Sequence, residues 1–123
     1  MVKTTTSNIE VNEIGFIINT FKTRSALKPV YILEQANTIS QITNGVKGPM
    51  MINFGNVTDF GLKQMMNVVD QKNLDVAICI AVLMESEFKK KAFNFMMKFR
   101  SPICPVVAFT DIEDANQWLR SFI

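Results

Sequence analysis

Two short stretches near the start of the chain are strand-like, and the spacing of apolar residues then switches to that of helices. Ile9-Glu10-Val11 and Ile14 to Phe21 read as two strands around an Asn12-Glu13 turn. Phe21 to Lys28 is polar and ends before Pro29, a favoured first helical residue because its missing N–H has no helical partner there anyway. Ile32, Ala36, Ile39 and Thr43 then fall on one helical face, and Asn44-Gly45 closes that helix, since both residues accept a left-handed backbone. Pro49 to Phe54 is a compact apolar strand. Leu62, Met65, Met66 and Val69 form a second helical face, ending near Lys72-Asn73.

The run from Asp75 to Leu83 does not alternate, which suits a central strand covered on both sides. Ser86 with Glu87 opens a third helix, whose core face reads as Phe88, Ala92, Phe95, Met96 and Phe99. Pro102 ends it, Cys104 to Thr110 is the last strand, and Asp111 caps a final helix through Ala115, Trp118, Leu119 and Phe122. Strands alternating with helices imply a mostly parallel sheet, and the opening pair implies an antiparallel edge. The expectation is an α/β fold: a mixed, mostly parallel sheet of about five strands with four helices, in the order β-β-α-β-α-β-α-β-α. Residues 1–8 are expected to fray, and residues 9–123 to form a single domain with no internal repeat or linker.

Composition narrows the chemistry. The chain has 123 residues, a net charge of +2 and no histidine. Without histidine there is no Ser-His-Asp or Cys-His catalysis, and most zinc sites lose a ligand type. The basic excess is too weak and too spread to argue for nucleic acid. No secretory or transit segment opens the chain, and the longest apolar run, Val76 to Met84, is far short of the ~20 residues of a membrane-spanning helix. Cys79 and Cys104 lack paired spacing, so a reducing cytoplasm with both thiols as small core residues is expected, and redox catalysis is not. Cys104-Pro105 is a candidate cis bond. There is no phosphate-binding loop, and no cofactor or metal is implied.

Several phrases, taken in order, carry a resemblance: Thr43-Asn44-Gly45 before Pro49-Met50-Met51-Ile52-Asn53, then Ala77-Ile78-Cys79-Ile80-Ala81-Val82, Phe93-Asn94-Phe95-Met96, Pro105-Val106-Val107-Ala108-Phe109-Thr110, and Asp114-Ala115-Asn116-Gln117-Trp118-Leu119. With the element order, the chain resembles the STAS (anti-sigma-factor antagonist) fold, and more closely a group of small bacterial STAS-like proteins common in Bacteroidetes. The resemblance implies a non-enzymatic regulatory binding module. STAS switch proteins carry Asp-Ser-Ser-Gly at the start of the helix after this strand, where a phosphate meets the helix dipole. Here the turn reads Thr58-Asp59-Phe60-Gly61, with no serine between Ser40 and Ser86, so the phosphoserine switch does not carry over.

Two places are candidate contact sites. The strand–helix junction (Asn56, Thr58, Asp59, Phe60) could meet a partner or ligand, although Thr58 and Asp59 also suit a helix cap and Phe60 a hydrophobic staple. On the third helix, Phe93 and Met97 add a second apolar patch among Lys89, Lys90, Lys91, Lys98 and Arg100. Lys90, Phe93 and Met97 are therefore expected at a homodimer interface, with an anionic lipid surface and an ordinary solvated face as alternatives. On that reading Phe93→Glu dissociates a dimer and leaves the fold intact. The rival function is a carrier of a small hydrophobic or lipid-like ligand, which predicts an enclosed apolar cavity of ~300 Å³ or more. The methionine pairs suit such a pocket, but equally serve as core filler. Asp111, Glu113 and Asp114 need no ion, because carboxylates suit the first turn of a helix.

Overall fold

The computed structural model of the protein describes residues 1–22, 29–54, 61–69 and 75–123. Strands β1 (Val2–Lys3), β2 (Ser7–Val11) and β3 (Ile17–Phe21) lead into helix α1 (Pro29–Ile42). They are followed by β4 (Gly48–Asn53), α2 (Leu62–Val69), β5 (Ala77–Leu83), α3 (Glu87–Met97), β6 (Val106–Phe109) and α4 (Ile112–Arg120). The strands form one mixed sheet in the order β1-β2-β3-β4-β5-β6. The first three strands pair antiparallel, and every pairing from β3 to β6 is parallel. The expected α/β class and order hold, with six strands among the described residues rather than five.

The extra strand comes from the segment expected to fray. Val2 and Lys3 pair with Ile9 and Asn8, because a polar turn folds them back. The Thr4 hydroxyl accepts from the backbone N–H of Ser7 at 3.0 Å, and the N–H of Thr4 donates to the carbonyl of Ser7 at 2.8 Å. Thr4, Thr6 and Ser7 are buried. Polar composition suggests a fraying end, but these hydroxyls satisfy backbone groups and make the turn.

The turn between β2 and β3 is fixed by Asn12, whose side-chain oxygen accepts from the N–H groups of Ile14 and Phe16 at 3.1 and 2.9 Å. Gly15 completes it at φ 95°, a backbone angle that glycine adopts without steric cost. Asn44 and Gly45 take φ 53° and 76°, as their position after α1 predicts.

Each strand from β4 onward lies next to its predecessor, and the three crossover helices cover one face of the sheet. Ile32 and Ile39 of α1, Met65, Met66, Val68 and Val69 of α2, and Phe93 and Met97 of α3 pack there against Ile9, Ile17, Phe21, Met50, Ile52, Ile80 and Val82. Helix α4 follows the last strand and packs Ala115 and Leu119 on the opposite face, against Met51, Cys79 and Ala81. Five of the methionines in the three pairs are core filler. The β5 run is not covered throughout. The register slips between Gly48 and Pro49, so that Ala77 and Cys79 face consecutive residues and Ile78 is left 37% exposed.

Candidate functional site

Helix α3 is the outermost crossover helix and leans over the sheet edge made by β6. Ser86 caps its N-terminus, accepting from the Lys89 N–H at 3.2 Å. Its rotation is set by Asn94. The Asn94 side-chain oxygen accepts from the Ala108 N–H at 2.7 Å, and its amide donates to the Ala108 carbonyl at 3.1 Å. Both outward-pointing backbone groups of Ala108 on the edge strand are thereby occupied, so this edge is no open template for strand addition.

With α3 locked in this phase, Phe93 is 0% and Met97 8% exposed, both in the core. The expectation that Phe93 and Met97 form an interface is overturned, and so is the assignment of the opposite residues to the core. Phe88 is 78%, Phe95 59%, Met96 36% and Phe99 77% exposed, with Ala92 half-buried beside them. Lys90 lies between the two faces and pairs with Glu87 at 2.9 Å. The helix is apolar on both sides, and the larger stripe was read as the buried one. Phe93 and Met97 point inward because both lie to one side of Asn94 on the helix, toward the sheet, when Asn94 reaches β6.

The outer stripe is ordered. Phe95 and Phe99 meet edge to face with centroids 5.4 Å apart, and the Lys98 ammonium lies 6.0 Å from the Phe95 ring centroid. Glu85 pairs with Lys89 at 3.3 Å. A hydrogen bond from the Thr110 hydroxyl, and next the bond to Lys90, hold the Glu87 carboxyl below its ordinary range. The N-terminal end of α3 carries Glu85 and Glu87 together with Lys89, Lys90 and Lys91, and its C-terminal end carries Lys98 and Arg100. Rings, a thioether and charged rims together make this an exposed apolar face with a polar border.

The other candidate junction, Asn56, Thr58, Asp59 and Phe60, lies outside the described residues, as does the α2 end expected near Lys72-Asn73. The Cys104–Pro105 bond is not cis, since no cis peptide occurs among the described residues. Cys79 is fully buried, and burial, reinforced by the Cys104 thiol, pushes its pKa up to about 11. Asp111 caps α4 by accepting from the Glu113 N–H at 2.8 Å. No three acidic or thiol side chains form a metal-binding group among the described residues. No helix there is long and apolar enough to cross a membrane.

Sequence reasoning missed a buried polar chain between α1 and the sheet. Asn19 donates to the Gln35 side-chain oxygen at 2.9 Å, and the Gln35 amide donates to the Thr6 hydroxyl at 3.2 Å, all three residues being fully buried. Gln35 sits three residues after Ile32 on the inward face of α1, which is the signal available in the sequence. A shallow groove of about 200 Å³ runs under the α1–β4 connection, lined by Val11, Gly15, Ile17, Thr43, Val46, Lys47 and Gly48.

A family model described as "Domain of unknown function (DUF7793)" matches residues 11–123. A crystal structure of a protein with unknown function from Arthrobacter sp. FB24 is similar at 19% identity, covering 97% of this chain and 96% of that one with a TM-score of 0.35, too low to support an argument. No curated protein matches the chain.

Proposed function

The chain belongs to the DUF7793 family, and we propose that it is a non-enzymatic interaction module whose contact surface is the outer face of α3. One observation carries this reading: three phenylalanines and a methionine stand exposed in one stripe along α3 and the turn that follows it. Scattered exposed apolar residues are ordinary, but a contiguous aromatic stripe rimmed by charge marks a surface that is covered in the working state. The homodimer expected from sequence moves to this face, and a second copy of the chain is the partner placed first. The regulatory, STAS-like character of the module rests on the resemblance in the sequence phrases.

A carrier of a small hydrophobic ligand remains the alternative; the groove of about 200 Å³ is smaller than the ~300 Å³ at which small-molecule sites begin, so it is not the cavity that reading needs. An anionic lipid surface is also less favoured, since Lys89 and Lys90 are held by Glu85 and Glu87.

The test is site-specific photo-crosslinking in cells producing the protein. A benzophenone side chain replaces Phe99 in one variant and exposed Glu10 of β2 in another. Protein adducts at position 99 and none at position 10 are expected. Equal labelling at both, or none at 99, would overturn the reading.

A further inference from the structure

The stripe on α3 has an internal order that selects its partner. Phe88 on α3 and Phe99 in the turn just after it stand at the two ends, while Ala92 and Phe95 lie between them at equal sequence distances from the centre. A two-fold axis crossing the helix between Phe93 and Asn94 therefore sets Phe88 opposite the partner's Phe99, and Ala92 opposite the partner's Phe95. The second pairing occurs twice about the axis and matches a small residue to a large one each time, the complementarity that lets two helices approach closely.

Charge follows the same symmetry. Antiparallel packing sets Glu87 opposite the partner's Arg100, while Lys98 falls opposite the partner's Lys89, which Glu85 already holds. Parallel packing would stack like charges at both ends and align the helix dipoles unfavourably.

Area is sufficient. At the exposures of Phe88, Phe95 and Phe99, the rings present roughly 400 Å² per chain, so a symmetric contact that covers them fully removes at most roughly 800 Å² from rings alone. Met96, Ala92 and the lysine stems carry the total past the ~1,000 Å² that separates specific contacts from incidental ones. Strand addition does not compete at this end of the sheet, because Asn94 occupies the backbone groups of Ala108. The opposite edge, β1, is two residues long and carries a lysine, a short and charged edge of the kind that resists pairing.

We infer that the module pairs with a second copy of itself through antiparallel α3 helices, with the axis between Phe93 and Asn94. This rests on the contact reading of the same face and adds to it the identity and orientation of the partner. A second copy brings an equal apolar area to the contact and sets the small Ala92 against the partner's Phe95 on both sides of the axis.

Disulfide trapping tests the orientation. Phe88→Cys and Phe99→Cys are prepared separately, each on a Cys104→Ser background, so that the half-buried native thiol does not compete. Both introduced positions are exposed, and circular dichroism checks that each variant is folded. Under a mild copper–phenanthroline oxidant, the mixture of the two should give a covalent dimer at least fivefold above either variant alone. Strong linkage within each variant alone would establish parallel pairing and overturn the inference. No linkage in any sample of folded protein would overturn self-pairing. If adducts to another protein persist at position 99 in that case, only the partner assignment falls; if they are also absent, the contact reading falls with it.

Discussion

Replacing Asn94 by alanine removes two hydrogen bonds at once and leaves their backbone partners on β6 open. The bonds to the Ala108 N–H and carbonyl measure 2.7 and 3.1 Å, and both lie in a half-buried setting beside the core residues Phe93 and Met97. A hydrogen bond of this kind contributes about 1 kcal/mol net, and the freed groups are only partly rehydrated under α3, so Asn94→Ala should cost about 2 kcal/mol. For a chain of this size that corresponds to a fall of roughly 8 °C in melting temperature. Urea unfolding is the direct assay: the midpoint should drop while the slope stays constant, since the folded surface hardly changes. Asn94→Asp separates the two bonds. It keeps the acceptor for the Ala108 N–H but sets a carboxylate against the Ala108 carbonyl, so it should cost at least as much as alanine at neutral pH. A loss below about 0.5 kcal/mol for Asn94→Ala would refute the edge-capping argument, because it would mean that water serves Ala108 equally well. The uncapped edge should also raise the tendency to associate through strands, seen as increased thioflavin binding after mild heating.

Other substitutions test the phase of α3 and the electrostatics of the core. Phe93→Ala should cost about 3–5 kcal/mol in chemical denaturation, whereas Phe99→Ala should stay within about 0.5 kcal/mol for the isolated chain; similar losses at both would return the helix to the opposite rotation. Gly45→Ala, forced to hold φ 76°, should lose about 1 kcal/mol by the same assay, and no loss would mean that the turn relaxes. The Cys79 pKa stands at about 11 against an ordinary 9.0, so the native state holds this proton more tightly than the unfolded chain does. Its contribution is intact below pH 9 and is lost as pH climbs through about 11, a decline of about 2–3 kcal/mol that a Cys79→Ala variant should lack. Equal alkaline slopes for the two proteins would count against a buried neutral thiol.

The fold was legible wherever local chemistry and burial agree. The α1 stripe, the left-handed Asn44-Gly45 pair and the Ser86 and Asp111 caps each have one consistent reading, and the structure has the same features. The N-terminal strand was missed because threonine and serine hydroxyls can solvate a frayed tail or satisfy a tight turn, and composition does not distinguish the two. The phase of α3 was missed for a deeper reason. Hydrophobic periodicity identifies apolar faces but does not rank them when a helix has two. The deciding residue was polar: Asn94 reaches the β6 backbone, and that tertiary bond carries no periodic signal. The same blindness hid Gln35 and Asn19, buried polar residues whose partners come from distant parts of the chain. Of the two candidate sites, the junction lies outside the described residues, and on the helix the exposed face is the one that periodicity assigns to the core.

Sedimentation equilibrium of the wild-type chain beside Phe99→Glu tests the central claim most directly. The account predicts twice the chain mass of 13.9 kDa for the wild type, a single chain mass for Phe99→Glu, and the same circular dichroism spectrum for both. A dimer that survives Phe99→Glu, or a wild type that sediments as one chain at high micromolar concentration, would contradict it.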